Sequence, residues 1–211
     1  MSQDRYQNNN VTFGKKSVKK TVLLALGANL SSFFGPPDVT ICLAMKKMAK
    51  AGLADISISR LFTTPAYPAG SGPDYVNAAV SCTSQLSPIE ILAAMQEIET
   101  HFGRERGQRW GARSLDIDLL AVGADILPDE MTFRHWLEMP QPDQMKTVPA
   151  DLILPHPRMH ERGFVLAPLA EVAPNWRHPV LGKTVTEMQG DLPADALRAI
   201  KPIASPDCRA K

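Results

Sequence analysis

The sequence predicts an α+β fold of the ferredoxin-like kind, a four-stranded antiparallel sheet with helices packed on one face. Apolar runs of strand length and amphipathic runs of helix length follow one another in the order strand, helix, strand, strand, helix, strand. A doubled pattern of this kind commonly folds as one antiparallel sheet with two helices. With 211 residues, 44% of them hydrophobic, the chain can bury the core of one such domain.

The first half of the pattern comprises a buried strand, a helix and a second strand. Thr21–Gly27 is a short apolar run closed by glycine, which is typical of a buried strand. A proline pair and an aspartate then open a helix that ends near Gly52. Asp55–Phe62 partly alternates and predicts one continuous strand, and the prolines and glycines of Thr63–Asp74 predict a loop.

The second half begins with the strand Tyr75–Thr83 and closes with the strand Ser114–Val122. Because side chains alternate along a strand, Tyr75 and Asn77 share one face of the sheet. Between the strands lies the clearest helix, with Ser87 as N-cap and Glu90 completing a capping box. Its apolar positions recur at helical spacing and predict one buried face: Ile91, Met95, Ile98 and Phe102.

The C-terminal third carries weaker signals. Leu127–Asp151 is interpreted as a long insertion with one helical turn, whose Phe133, Trp136 and Leu137 could cover the core, form a partner surface or flank the site. Glu161–Ala173 predicts a helix interrupted at Pro168, and Thr184–Gln189 predicts a short helix.

We therefore expect three segments: a disordered tail over residues 1–20, a single domain over 21–190 that includes the insertion, and a weakly ordered C-terminal tail over 191–211.

Charge and cysteine content exclude several classes of function. The formal net charge of +1 gives no bulk attraction to nucleic acid or membranes. Neither a signal peptide nor an apolar run long enough to span a membrane is present. The three cysteines, Cys42, Cys82 and Cys208, are widely spaced and odd in number, so reduced thiols and a cytoplasmic location are expected.

The strongest chemical signal is a pair of acids beside a group of arginines. On a strand, Asp116 and Asp118 point to the same face, about 7 Å apart at Cα, while Leu115, Ile117 and Leu119 point into the core. Carboxylates on a rigid strand suit Mg²⁺, which prefers oxygen ligands and keeps bonds to substrate phosphates. The four arginines just upstream suit phosphate oxygens: Arg104, Arg106, Arg109 and Arg113.

Each half of this signal has a simpler explanation. Two aspartates spaced by one residue arise often by chance, and an arginine run is usually a solvated loop. Together, on an apolar strand after a glycine-containing loop, they point to polyphosphate transfer. No glycine-rich nucleotide motif is present, so ATP would bind through arginines and metal.

The stretch from Arg109 to Leu120 (RWGARSLDIDLL) resembles the signature of the 6-hydroxymethyl-7,8-dihydropterin pyrophosphokinase family at every constrained position. Other motifs similar to that family occur in order between about Val22 and Val185: LGANL at 26–30, TP at 64–65, PDYVNAAV at 73–80, IE at 98–99 and PHPRMHERGF at 155–164.

The resemblance implies three sets of site residues. Four are catalytic: Arg104, Arg113, Asp116 and Asp118. Seven bind the pterin: Thr64, Pro65, Ala66, Tyr75, Asn77, Trp110 and Phe164. Of these, Tyr75 and Phe164 would stack on the pterin ring. Seven bind ATP: Glu99, Arg104, Arg106, Arg113, Ile117, His156 and Arg162. Asp116 and Asp118 would also hold two Mg²⁺ ions, and Arg106 and Trp110 would lie on a loop that closes over the substrates.

The resemblance further implies that the chain transfers pyrophosphate from ATP to 6-hydroxymethyl-7,8-dihydropterin in folate synthesis, releasing AMP. Its partners would be these small molecules, with no nucleic acid or membrane, and it would be a monomer. Two alternatives stay open: another Mg²⁺-dependent nucleotidyl- or phosphotransferase on this fold, and a non-enzymatic ferredoxin-like module that binds RNA or a ligand. Scattered tyrosines and a net charge near zero disfavour RNA binding.

Overall fold

The computed structural model describes residues 18–66, 72–103, 113–144, 146–204 and 208. Most of the predicted N-terminal tail lies outside these residues. The described chain is a mixed α/β structure built on one antiparallel sheet. Within it, no helix is long and apolar enough to cross a lipid bilayer.

The sheet has more strands than the four predicted. They are β1 Lys20–Ala28, β2 Ala54–Ile58, β3 Leu61–Thr64, β4 Tyr75–Ser84, β5 Asp116–Val122 and β6 Lys201–Ile203. The order across the sheet is β5-β1-β4-β3-β6, with β2 also paired to β4, and every pairing is antiparallel. Strand β1 therefore lies between β5 and β4, whereas β5 lies at an edge.

The helices are α1 Pro37–Lys50, α2 Pro88–His101, α3 Glu130–Glu138, α4 Gln141–Gln144, α5 Gly163–Val172, α6 Val185–Gly190 and α7 Ala194–Arg198, with a short 3-10 helix at Met159–Glu161. The predicted cap of α2 is confirmed, because Ser87 and Glu90 each accept a hydrogen bond from the other's backbone N–H. Its four predicted core residues are buried. Local sequence signals were sufficient for this helix.

Helices cover both faces of the sheet, and the expectation of one covered face is wrong. Helices α1 and α2 pack on the first face, together with Leu24, Leu26 and Val80. Helices α5 and α6 pack on the second face, where Leu23, Ala79 and Leu120 form a separate apolar cluster. Because the middle of β1 is apolar on both sides, each face needs a covering layer.

The predicted strand Asp55–Phe62 is broken at Ser59 and Arg60, and its second part runs on to Thr64. The Ser59 hydroxyl donates to the Arg60 carbonyl (2.7 Å) and accepts from the Ala79 N–H (3.0 Å), which replaces regular strand pairing. Arg60 then turns outward to an ion pair with Glu171 on α5 (2.6 Å).

The C-terminal third is more regular than predicted. The insertion forms α3 and α4 rather than one turn, with Asp129 capping α3 and Phe133 fully buried beside the ring of His178. Helix α5 continues through Pro168, because one lost backbone hydrogen bond is outweighed by burial of the surrounding apolar residues. The segment after residue 190, expected to be weakly ordered, forms α7 and the edge strand β6.

A disulfide joins Cys42 on α1 to Cys208, with the Cα atoms 4.8 Å apart and the two residues 166 positions apart in sequence. The expectation that these two thiols are reduced is therefore wrong. Spacing gave no hint of the pairing, because it depends on the chain returning to α1 after β6. Cys82 is free and buried, and burial raises the pKa of its thiol to about 12.

Candidate active site

Two aspartates stand side by side on the edge strand β5. Leu115, Ile117 and Leu119 are buried in the first-face core, as the alternation predicted. The side chains of Asp116 and Asp118 are 26% and 38% exposed, so both carboxylates face outward from the core and are accessible to ligand. They lie on the same face as Leu120, which belongs to the second-face cluster.

A row of small residues separates this acid pair from Asn77. Asp116 pairs in register with Gly27, which pairs on its other side with Asn77. Two residues further along β5, Asp118 pairs with Ala25. The two ends of the Asp116–Gly27–Asn77 row are two strand spacings, about 10 Å, apart. Because Gly27 has no side chain, the middle of this row, which we call the trough, carries no side chain between the carboxylate and the amide. A Cβ at Gly27 would lie 3.3 Å from Asn77 Oδ1.

Five of the predicted pterin residues lie at the amide end of this trough: Thr64, Pro65, Ala66, Tyr75 and Asn77. Asn77 is buried, and its Nδ2 donates to Thr64 Oγ1 (2.8 Å). Tyr75 pairs in register with Thr64, and Pro65 and Ala66 follow directly after β3. The ends of two neighbouring strands thus bring an aromatic ring, an amide and a hydroxyl together.

Two of the predicted phosphate residues, Arg113 and Arg162, lie at the acid end. Arg113 forms an ion pair with Asp116, and the Arg162 guanidinium lies 3.8 Å from the carboxylate of Asp118. Arg162 also lies over the ring of Phe164, 5.8 Å from its centroid. Burial lowers the pKa of Arg162 and Asp118 acts in the opposite direction, but an arginine stays charged at neutral pH. Each aspartate therefore has a guanidinium beside it.

His156 is held beside the same strand in its neutral form. Its backbone N–H donates to the Leu120 carbonyl (2.8 Å), and its Nδ1 accepts from the Arg158 N–H (3.1 Å). Burial, followed by the nearby Arg162, lowers the pKa of His156 to about 3. Because Nδ1 accepts, the proton is assigned to Nε2, which is then a donor.

Glu99 has a contact that the sequence did not predict. It is buried on α2, and its carboxylate accepts from the Ile117 N–H (2.7 Å), between the two aspartates. Since β5 is an edge strand, the outward N–H of Ile117 has no strand partner, and Glu99 replaces one. Both residues were predicted to contact ATP, and in the structure they bond to each other.

Asn29 was not among the predicted site residues. It follows β1 directly and bonds to both Arg113 and Pro73 through its side chain. The only signal in the sequence was its place in the LGANL motif after a buried strand. Arg104, Arg106 and Trp110, which were predicted, lie outside the described residues.

The donor set at the acid end suits a hard cation. Among the described residues, no group of three or more His, Cys, Asp or Glu side chains could hold a metal on its own. Mg²⁺ commonly takes only one or two carboxylates from the protein and completes its shell with water and substrate phosphates. Two accessible aspartates beside arginines fit that pattern.

The comparisons with known proteins agree on one family. The family model described as 7,8-dihydro-6-hydroxymethylpterin-pyrophosphokinase matches residues 23–174. The 2-amino-4-hydroxy-6-hydroxymethyldihydropteridine pyrophosphokinase of Haemophilus influenzae is 34% identical over 159 residues, which cover 72% of this chain and 81% of that protein. The protein of the same name from Synechocystis is 37% identical over 130 residues, covering 62% of this chain but only 56% of that protein.

A crystal structure of wild-type Plasmodium falciparum HPPK-DHPS shares the fold with a TM-score of 0.55 at 15% identity, covering 84% of this chain and 45% of that one. The chain thus spans under half of that protein. The family model alone covers most of the present sequence, including both ends of the trough. The chain belongs to the 7,8-dihydro-6-hydroxymethylpterin-pyrophosphokinase family.

Proposed function

We propose that this chain transfers a pyrophosphate group from ATP to 6-hydroxymethyl-7,8-dihydropterin in folate synthesis, releasing AMP. The observation that carries the proposal is the Asp116–Gly27–Asn77 row, which places an acid at one end of the trough and an amide at the other. The two substrates would then lie at opposite ends of the trough, with the pterin at the amide end and the ATP phosphates at the acid end.

At the amide end, Asn77 would read the polar edge of the pterin. An amide offers donors and an acceptor, and the bond to Thr64 holds the Asn77 side chain in place. Tyr75 and Phe164 would stack on the two faces of the flat ring, since aromatic rings gain from offset stacking. Thr64, Pro65 and Ala66 would close the edge of the pocket, and Trp110 would lie over it.

At the acid end, Asp116 and Asp118 would hold two Mg²⁺ ions. When bound, such ions neutralise phosphate charge and polarise phosphorus–oxygen bonds. Arg113 and Arg162 already lie beside these acids and can move to phosphate oxygens. Neutral His156 would donate from Nε2 to ATP, and Arg104 and Arg106 would add positive charge from their loop. Glu99 and Ile117 would line the ATP site, with Glu99 also fixing the strand.

In the proposed step, the hydroxymethyl oxygen of the pterin attacks the β-phosphorus of ATP. A new oxygen–phosphorus bond forms, the bond from the β-phosphorus to the α–β bridging oxygen breaks, and AMP leaves. The hydroxyl proton is lost to solvent or phosphate, and we assign no general base. Positioning across the trough and charge neutralisation by the arginines would supply most of the rate.

We also propose that the core is ferredoxin-like. If β2 and β3 count as one broken strand, the order β5-β1-β4-β3 with α1 and α2 on one face has that topology. The remaining proposals are one catalytic domain over 21–190, a monomer in the cytoplasm, and no nucleic-acid partner.

Product analysis tests the activity directly. The protein is incubated with ATP, Mg²⁺ and 6-hydroxymethyl-7,8-dihydropterin, and the nucleotides are separated. We expect AMP that depends on the pterin and on Mg²⁺. Formation of ADP would indicate transfer of a single phosphoryl group, and no turnover at all would refute the proposal.

A further inference from the structure

We propose that Asn29 is a positioning residue that joins the two ends of the site. It would keep a fixed separation between the pterin segment, Pro73–Tyr75, and the phosphate segment, Arg113–Asp116. This inference deepens the proposed function and rests on it. The observation behind it is that one buried amide bonds to both segments.

The first contact holds the phosphate segment. The Arg113 N–H donates to Asn29 Oδ1 (2.8 Å), and the Asn29 N–H donates to the Arg113 carbonyl (3.0 Å). The Leu30 N–H reaches the same carbonyl (3.1 Å). Both backbone polar groups of Arg113 are therefore fixed, three residues before Asp116, with which its side chain is paired.

The second contact holds the pterin segment. Asn29 Nδ2 donates to the Pro73 carbonyl (3.2 Å), two residues before Tyr75. The neighbouring Gly72 also lies beside Asn29: a Cβ there would be in ordinary contact with Asn29 Nδ2, at 3.6 Å, and φ is +155°. The turn that leads into β4 is thus held against the end of β1.

The chemistry of the contact requires an amide. Oδ1 meets an N–H and Nδ2 meets a carbonyl, so reversing the side chain would place like groups together. Asn29 is 5% exposed, and water cannot readily replace either bond. Aspartate can still accept from the Arg113 N–H, but it cannot donate to Pro73. The Asn29→Asp variant therefore separates the two contacts.

The functional consequence is a distinct kinetic signature. If Asn29 sets the separation between the segments, its loss misplaces the hydroxymethyl oxygen relative to the β-phosphorus. A small misplacement of reacting groups lowers kcat strongly, whereas the affinity for each substrate alone changes less. A residue that only stabilises the fold would instead lower the melting temperature and leave the kcat of the folded fraction unchanged.

The test compares wild type, Asn29→Ala, Asn29→Asp and the exposed control Asn175→Ala in steady-state kinetics and thermal unfolding. We expect kcat of Asn29→Ala to fall about thirtyfold, with less than about fivefold change in either KM. Asn29→Asp should raise the KM for the pterin more than the KM for ATP. The inference fails if Asn29→Ala keeps kcat within about twofold of wild type. It also fails if kcat of this variant returns to the wild-type value at a lower temperature, because the loss would then reflect unfolding alone.

Hydrogen exchange keeps this test separate from that of the proposed function, because it needs no turnover. In Asn29→Ala, backbone exchange should accelerate both around Pro73–Tyr75 and at Arg113–Asp116. If the alanine variant does not fold, Asn29→Asp takes its place, and exchange should accelerate around Pro73–Tyr75. An inactive wild type would refute the proposed function. Unchanged exchange in both segments would refute the role of Asn29.

Discussion

Asn77 donates a hydrogen bond of 2.8 Å to the hydroxyl of Thr64 on the neighbouring strand. The bond leaves Asn77 Oδ1 facing Gly27, where an added Cβ would lie only 3.3 Å away. The amide is therefore held between one partner strand and the floor of the trough. The amide is thus held in place without substrate, and the pterin of the proposed reaction would have to fit it.

Replacing Thr64 by valine keeps the shape but removes the acceptor for Asn77. A buried donor without a partner costs about 1–3 kcal/mol, so we expect the KM for the pterin to rise about tenfold while the KM for ATP stays within about twofold. Steady-state kinetics with each substrate varied measures both. The control is Thr63→Val on the same strand, which should behave as wild type. Equal effects of the two variants would contradict the assignment of Asn77.

Removing either aspartate should nearly abolish turnover. We expect Asp116→Ala and Asp118→Ala to lower kcat at least about a thousandfold, because charge neutralisation at the phosphates is lost. Circular dichroism should show an unchanged fold, since both side chains face outward. The exposed Asp151→Ala serves as the control and should keep full activity. An active Asp118→Ala would remove this residue from the proposed metal site.

Glu99 should act through the backbone of Ile117. Glu99→Leu leaves the Ile117 N–H buried without an acceptor, and we expect a loss of about 2 kcal/mol in the free energy of unfolding. Glu99→Gln keeps an oxygen acceptor and should recover most of that loss. The exposed Glu97→Leu on the same helix is the matched control. Chemical denaturation measures all three, and equal stability of the leucine and glutamine variants would refute the role.

The sequence predicted those features that depend on local signals. Helix α2 was predicted from its capping box and apolar spacing, and the outward direction of Asp116 and Asp118 from strand alternation. The break at Ser59 was missed because it depends on a bond to Ala79 on another strand. Glu99 was placed near the site but its bond to Ile117 was not foreseen, and Asn29 was missed, because both act on backbone groups far away in sequence.

The protein should lose stability on acidification, with His178 as one cause. His178 is fully buried, and its Nδ1 accepts from the N–H groups of Val180 and Leu181. Its Nε2 has no hydrogen-bond partner among the residues that the structure describes. Burial, followed by the nearby His160, lowers its pKa from 6.5 to about 4. The unfolded chain therefore takes up this proton at higher pH than the folded protein does, and the associated stability is present above pH 6.5 and lost as pH falls toward 4.

The variant His178→Asn keeps an acceptor but cannot be protonated. We expect it to reduce the loss in the free energy of unfolding between pH 7 and pH 4 by about 2 kcal/mol. His156 has a pKa lowered in the same direction, so part of the pH dependence will remain. Denaturation at several pH values, with the exposed His135→Asn as control, measures the difference. Identical pH dependence in the variant and wild type would contradict this account.

The Cys42–Cys208 disulfide should stabilise the oxidised protein. A cross-link that closes so long a loop typically contributes about 3 kcal/mol, so Cys208→Ser should lower the free energy of unfolding by roughly that amount. Reductant should remove the difference between variant and wild type. Thiol titration of the denatured, unreduced wild type should find only Cys82. Three titratable thiols would show that the disulfide does not form.

Gly27 is an unfavourable position for a substitution that confers resistance to an inhibitor. An inhibitor that fills the trough would rest on a position that cannot gain a side chain without pressing on Asn77 Oδ1. In the proposed reaction, a substitution there that repelled the inhibitor would also press on Asn77, the amide proposed to bind the pterin. Resistance would have to arise at the rim of the trough, and compounds that place most of their contact area on its floor would be the hardest to escape.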